Sequence, residues 1–199
     1  LQVDHNVLIP RDDTCAVTAL AVQQALFLEK SPRILDLCTG SGCIGLAIAS
    51  RVKDARVTLA DISKDALAIA KKNAMRNHLN ARVTCIGADA LQAPTKFLGQ
   101  FDLIVSNPPY ITGTEMKELP RSVADFEPHL ALFGGDDLHG ISKDVGVVQV
   151  DGGDDGGQRR GNDIGGIIAP AQSNLQHHNI AILFTKPQQP GGGDDLELV

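Results

Sequence analysis

No stretch of this 199-residue chain approaches the roughly 18 consecutive apolar residues that a membrane-crossing helix requires. Nor does it open with the basic start and small-residue cleavage site of a secretory leader, so the expectation is a soluble, cytoplasmic protein without a membrane partner. Paired cysteines are missing too. Cys15, Cys38, Cys43 and Cys85 form no CxxC pair and keep no zinc-like spacing with histidine, which argues against a disulfide scaffold and against a metal site. They read as reduced, mostly buried thiols. Basic charge is short as well: 18 Lys and Arg stand against 24 Asp and Glu, a net charge of −6, the wrong sign for a protein that lives on a phosphate backbone. Nucleic acid is therefore an unexpected direct substrate, and a small molecule or a protein comes first. The chain also lacks an initiator methionine, which suggests a fragment or a trimmed terminus.

What is present suits one well-packed domain, since 43% of the residues are hydrophobic. From about Thr14 the spacing of Ala16, Val17, Leu20, Ala21 and Leu28 predicts a helix, with Asp13 or Thr14 as its cap. The runs "RILDL" (33 to 37), "RVTLA" (56 to 60), "RVTCI" (82 to 86) and "FDLIV" (101 to 105) read as strands, with helical stretches near 43 to 51 and 64 to 77. Strands alternating with helices imply an α/β fold with a parallel sheet, in which ligands bind at the carboxyl ends of the strands. The last third differs. Fourteen of the 20 glycines lie at or after Gly134, and "DGGDDGGQRRGND" (151 to 163) has neither a helical nor a strand period, so it is expected to be mobile. Its aspartates do not fit a calcium loop. "VGVVQV" (145 to 150) and "NIAILF" (179 to 184) can be strands, the second completing the sheet. The organisation expected is a domain over 1–140 followed by an atypical Gly/Asp-rich tail over 141–199.

"LDLCTGSGCIG" (35 to 45) joins the first strand to a helix, and its glycines let the backbone approach a ligand while the helix N-terminus offers free N–H groups. Gly40, Gly42 and Gly45 spell GxGxxG, and Asp61 follows at the distance from which an acid grips ribose hydroxyls, so a nicotinamide dinucleotide is one reading. Asp36 points elsewhere. A carboxylate beside the loop repels a pyrophosphate and attracts the ammonium or sulfonium of S-adenosylmethionine. Asp36, Cys38, Thr39, Gly40, Ser41 and Gly42 are thus candidate cofactor-binding residues, with Asp61 at the ribose and Asp89 within reach of the adenine amine. Asp36 can equally accept loop N–H groups, and Asp89 can be an ordinary turn residue.

The most distinctive stretch is "FDLIVSNPPYI" (101 to 111), a buried strand ending in a stiff polar corner. If Asn107 offers its amide oxygen and Pro108 its carbonyl, together they hold both hydrogens of a planar NH2 group, and Tyr110 stacks on that group's face. This suits methyl transfer to an amine conjugated with a carbonyl or a ring. Asn107, Pro108 and Tyr110 are the candidate catalytic residues, and Pro109 joins them in receiving the substrate.

Through "VLIPRDDT" (7 to 14), "LDLCTGSGCI" (35 to 44), "ADIS" (60 to 63), "FDLIVSNPPYI" and "FEPHLALFGGDD" (126 to 137), residues 3 to about 138 resemble the peptide chain release factor glutamine methyltransferases. Those are Rossmann-like class I enzymes that use S-adenosylmethionine. The resemblance implies methylation of the glutamine amide in a release factor's Gly-Gly-Gln loop. It makes Gly40, Asp61 and Asn107 cofactor contacts, gives Asn107 to Tyr110 to the substrate glutamine, and offers Arg11 and Thr14 for closing the site. "NPPY" alone is shared with adenine-amine DNA and RNA methyltransferases, the first alternative; a cofactor-binding but inactive fragment is the second. The family's helical docking domain is not found ahead of "LIPR", and Cys38 stands where the family often has a glycine.

Overall fold

The computed structural model describes residues 1–28, 30–92 and 99–135, together with the backbone of 181–184. Four of the short apolar runs become parallel strands: β1 (Arg33–Leu37), β2 (Arg56–Asp61), β3 (Val83–Gly87) and β4 (Leu103–Ser106). A fifth, β5 (Ala181–Phe184), runs antiparallel along β4, giving the order β3-β2-β1-β4-β5. An antiparallel edge on an otherwise parallel sheet is an ordinary arrangement for α/β domains. The strand expected over 179 to 184 thus completes the sheet. The segments expected at 145 to 150 and 151 to 163 lie outside the described residues.

Three helices follow the predicted alternation: α1 (Asp12–Phe27), α2 (Cys43–Arg51) and α3 (Lys64–Arg76). Helix α1 begins ahead of the expected caps. Arg11 occupies the capping position without a side-chain bond, and Thr14 lies inside the helix, where it is buried. Asp12, the first helical residue, puts negative charge near the positive end of the helix dipole in place of a cap. Beyond β4 come three single-turn helices that no periodicity foretold, α4 (Gly113–Met116), α5 (Arg121–Ala124) and α6 (His129–Leu132). Thr112 and Glu115 start α4 with a reciprocal capping box.

Alternation along the strands separates two cores. Ile34, Val57, Leu59, Leu103 and Val105 form one cluster with α1, α2 and α3, whereas Leu35 and Ala60 join Phe101 in a smaller one. Strand β4 starts two residues later than expected because Phe101 belongs to that second cluster, while the Asp102 side chain accepts the Arg33 N–H at 2.7 Å. Arg82 ties the connections together: its guanidinium donates to the carbonyls of Ala49, Val52 and Ala55 at the C-terminal end of α2.

The tightest packing is between α2 and the sheet at Gly45. A Cβ there would collide with the Leu59 side chain and lie 2.9 Å from an Asp36 carboxylate oxygen. Overpacking of this kind costs about 1–3 kcal/mol. Gly45→Ala should lower the urea midpoint accordingly, whereas Gly87→Ala, whose Cβ would meet nothing within 4 Å, should leave it nearly unchanged. Equal midpoints for the two variants would show that the α2 contact is not the tight one.

Candidate active site

The loop between β1 and α2 is held from beneath by a carboxylate. Asp36 is fully buried, and its Oδ2 accepts the Thr39 hydroxyl at 2.6 Å and the Gly45 N–H at 2.8 Å, while Oδ1 has no partner among the described residues. Burial pushes its pKa up to about 6; the bonds from Thr39 and Gly45 oppose this, and the negative charge of Asp61 adds to it. The chain then turns through left-handed conformations at Cys38 (φ 57°), Gly40 (φ 52°) and Gly42 (φ 82°). Cys38 is therefore a side-chain residue in a conformation that glycine adopts without strain. Its thiol is pushed up to about 12 by burial, with the carboxylates nearby adding to the shift, and that of Cys43 to about 11. Both remain protonated and are not nucleophiles.

From above, the loop is held by the neighbouring strand. Asp61 Oδ2 accepts the Gly40 N–H at 2.8 Å and Oδ1 accepts that of Ser63 at 2.9 Å, while Ser63 itself caps α3 through the Ala66 N–H. Asp89 makes a turn, its Oδ1 accepting the Leu91 N–H at 3.0 Å. Buried Asn73 on α3 adds a bond to the Ser41 carbonyl at 2.9 Å.

Two cavities open at the carboxyl ends of the strands. The first, ≈ 390 Å³, is walled by the loop from Cys38 to Ser41 and by Asp61, Ile62, Asp89 and Leu91, and is closed on the far side by Leu8, Thr14, Asn107 and Ala131. The second, ≈ 330 Å³, shares those last four residues and adds Arg11, Pro108, Tyr110 and Ile111. Asn107 thus stands in both walls, with Pro109 facing the first cavity and Pro108 and Tyr110 the second. The first contains two carboxylates and no Lys, Arg or His in its lining, so its field favours a cationic ligand. Its volume falls within the usual range for a small-molecule site. Ser41 Oγ, buried and on the lining, has no partner among the described residues.

Of the residues expected to meet a cofactor, Cys38, Thr39, Gly40, Ser41, Asp61, Asp89 and Asn107 line the first cavity. Asp36 and Gly42 do not. The direct contact expected of Asp36 gives way to a supporting role, because the carboxylate sits on the α2 side of β1, underneath the loop. Gly42 caps α2, and a Cβ there would face Leu46, Leu59 and Ala70 in the core. The reading of residue types missed Ile62 and Leu91, half-exposed apolar residues at the first cavity, and Gly134. Gly134 donates to the Ile111 carbonyl at 3.0 Å and lies so close to the corner that a Cβ would be 2.5 Å from the Pro109 oxygen. Only the "GG" of the family-like motif hinted at it.

Strand order, glycine loop and twin cavities define a Rossmann-like α/β domain of the class I methyltransferase type. Residues 14–125 match the family model described as the methyltransferase small domain, and the chain belongs to that family. The chain is 43% identical over 135 residues to a release factor glutamine methyltransferase of Clostridium acetobutylicum, covering 68% of this chain and 47% of that protein. It is 39% identical over 151 residues to a ribosomal protein uL3 glutamine methyltransferase of Francisella tularensis subsp. tularensis, covering 75% and 46%. The chain spans about half the length of the curated relatives it matches. Among solved structures, the hMettl16 catalytic domain in complex with MAT2A 3'UTR hairpin 6 shares the fold, with a TM-score of 0.50 at 16% identity over 68% of this chain and 50% of that one. No described helix is long and apolar enough to cross a membrane, and no described His, Cys, Asp and Glu side chains cluster as a metal site.

Two substitutions test this geometry. Asp36 has a raised folded-state pKa, so its favourable contribution is present below the unfolded value of 3.8 and is lost as pH rises through about 6. Wild-type stability should therefore fall, relative to Asp36→Asn, by roughly 3 kcal/mol between about pH 4 and about pH 7. Chemical denaturation of both proteins across that range checks it, and parallel curves would refute it. Gly134→Ala, at a residue of the first cavity whose Cβ would strike the Pro109 carbonyl, should displace the corner and lower the affinity of that cavity for a cofactor analogue measured by calorimetry, and an unchanged affinity would refute the close contact.

Proposed function

We propose that residues 1–140 form the catalytic domain of an S-adenosylmethionine-dependent enzyme that methylates the side-chain amide nitrogen of a glutamine in a peptide chain release factor. The observation that carries this reading is the position of Asn107, in the wall between a cavity suited to a cation and a second cavity bordered by Pro108 and Tyr110. A relative named for release factor glutamine methylation supports the target, and one named for ribosomal protein uL3 keeps glutamine as the common acceptor. A translation-factor substrate would make the cytoplasm its place of work.

The residues present fit the cofactor. Asp61 would take the ribose hydroxyls with the carboxylate lone pairs left over from Gly40 and Ser63, and Ile62 and Leu91 would flank the adenine near Asp89. Ser41 Oγ, without a partner among the described residues, would meet the amino-acid end. Bound there, S-adenosylmethionine supplies an electrophilic methyl group on a positively charged sulfur. A pyrophosphate would instead face Asp61 and Asp89 with no cation in the lining to offset the repulsion.

The protein's task is then to hold an unreactive nitrogen. An amide lone pair is delocalised into its carbonyl, and accepting both N–H hydrogens at Asn107 Oδ1 and the Pro108 carbonyl favours the pyramidal form with the lone pair free. Tyr110, which borders the second cavity, would fix the plane of the side chain there. No strong base is needed, because the nitrogen becomes acidic only as the C–N bond forms and the sulfur–methyl bond breaks, and the proton it then sheds passes to solvent.

The experiment is a radiolabelled methyl transfer offering a release-factor domain with its Gly-Gly-Gln loop, ribosomal protein uL3 and adenine-containing DNA and RNA in parallel. Label is expected on the release-factor glutamine. Asn107→Ala should lower kcat by roughly 100-fold while leaving the affinity for S-adenosylhomocysteine within a few-fold, as for loss of a contact that matters in the transition state. Label on nucleic acid and on neither protein would replace this reading with the adenine-amine enzymes. Calorimetric binding of NAD with no response to S-adenosylhomocysteine would overturn the cofactor.

A further inference from the structure

Residues 2–11 belong to neither sheet nor helix, yet they are tied down at both ends. At one end the buried amide of Asn73 pairs with the Gln2 backbone in both directions, its Oδ1 accepting the Gln2 N–H at 2.6 Å and its Nδ2 donating to the Gln2 carbonyl at 2.8 Å. In the middle Val7 is 2% exposed and packs on Ala66 and Ile69 of α3. At the other end Arg11 Nη2 donates to Glu127 Oε1 at 2.7 Å. Between these anchors Asn6, Val7, Leu8 and Pro10 wall the first cavity, and Leu8 and Arg11 wall the second.

The ion pair is unlike an ordinary surface pair, which contributes little. The Arg11 side chain is 47% exposed, but that of Glu127 is only 6% exposed, and its Oε2 has no partner among the described residues. Arg11 is thus the cation that compensates a buried carboxylate, and a carboxylate stripped of that partner is costly to keep buried. The contact also spans the chain, joining the segment ahead of α1 to the segment that packs on the Asn107–Tyr110 corner through Ile111 and Gly134.

We propose that the Arg11–Glu127 pair is a positioning contact that makes residues 2–11 a common wall, so that filling the first cavity raises the affinity of the second for the glutamine side chain. This rests on the assignment of the second cavity to the acceptor. A ligand packed against Asn6 to Pro10 restrains the segment, and the same restraint at Leu8 and Arg11 lowers the ordering cost of the next ligand. Coupling of this kind is reciprocal and commonly amounts to roughly 5- to 150-fold in affinity.

The test uses the full chain, S-adenosylhomocysteine as the first-cavity probe, and three variants: Arg11→Gln, Arg11→Lys and Glu127→Gln. Hydrogen exchange at residues 2–11 should slow in the wild type when the probe binds, and this protection should be lost near residues 8–11 in Arg11→Gln and Glu127→Gln. In methyl transfer to the release-factor domain, Glu127→Gln, at a residue that lines neither cavity, should raise the acceptor KM by roughly 5-fold or more with kcat and probe affinity within about twofold, and Arg11→Gln should raise the acceptor KM at least as much. Arg11→Lys, which keeps the charge, should recover part of the loss. Unchanged acceptor KM in both variants overturns the proposal, as does a parallel fall in kcat, probe affinity and melting temperature, which is the mark of a structural contact only. If the wild type methylates no glutamine protein, the functional reading fails and the exchange experiment still decides: probe-dependent protection that survives in Glu127→Gln defeats the coupling.

Discussion

One buried carboxylate organises the loop on which the first cavity depends. Asp36 lies at the end of β1, where it pairs in register with Leu59 and Val105 and no water can reach it. A charge in that position is expensive unless hydrogen-bonded, and its two bonds, from Thr39 and Gly45, join the two ends of the glycine loop. The loop is consequently held in a shape that includes three left-handed residues, one of them a cysteine. Above it Asp61 fixes Gly40, so the loop is gripped by a carboxylate from each of two adjacent strands. Such a backbone is prepared for a ligand rather than shaped by one, which reduces the ordering cost of binding.

The second cavity is built differently. Its floor is the Asn107–Tyr110 corner, stiff because two consecutive prolines remove backbone freedom, and its position is set by contacts from distant segments. The Ile111 N–H donates to Leu132, and Gly134 returns a bond to Ile111, closing a short parallel bridge between the residues after the corner and those after α6. Close approach at Gly134 is what lets this bridge lie against Pro109. A glycine loop gripped by two carboxylates and a corner braced from outside the sheet divide the labour: one part holds charge, the other holds geometry.

Acidity marks the first of these parts. Asp36, Asp61 and Asp89 all raise the pKa of the Cys38 thiol by their negative charge, although burial is the larger cause. The same field that keeps a thiol protonated makes the cavity hospitable to a cation, so a single electrostatic property bears both on what binds and on which side chains are unreactive.

Much of this was legible in the residues themselves. Periodicity and apolar runs located the strands to within two residues and the helices α2 and α3 almost to their ends, because those patterns are local consequences of burial on one or both faces. The glycine loop and the "NPPY" corner announced themselves for a related reason: glycine and proline restrict or free the backbone at their own positions, whatever surrounds them. What the sequence could not supply was direction and distance. Whether Asp36 faced the ligand or the core depended on which side of β1 the α2 helix would pack. That Arg11 would meet Glu127, 116 positions away, and Asn73 the backbone of Gln2, depended on how the chain closes on itself. Local chemistry follows from the residue and its neighbours, but the walls of a cavity come from segments far apart in the chain, and only the packed structure brings them together.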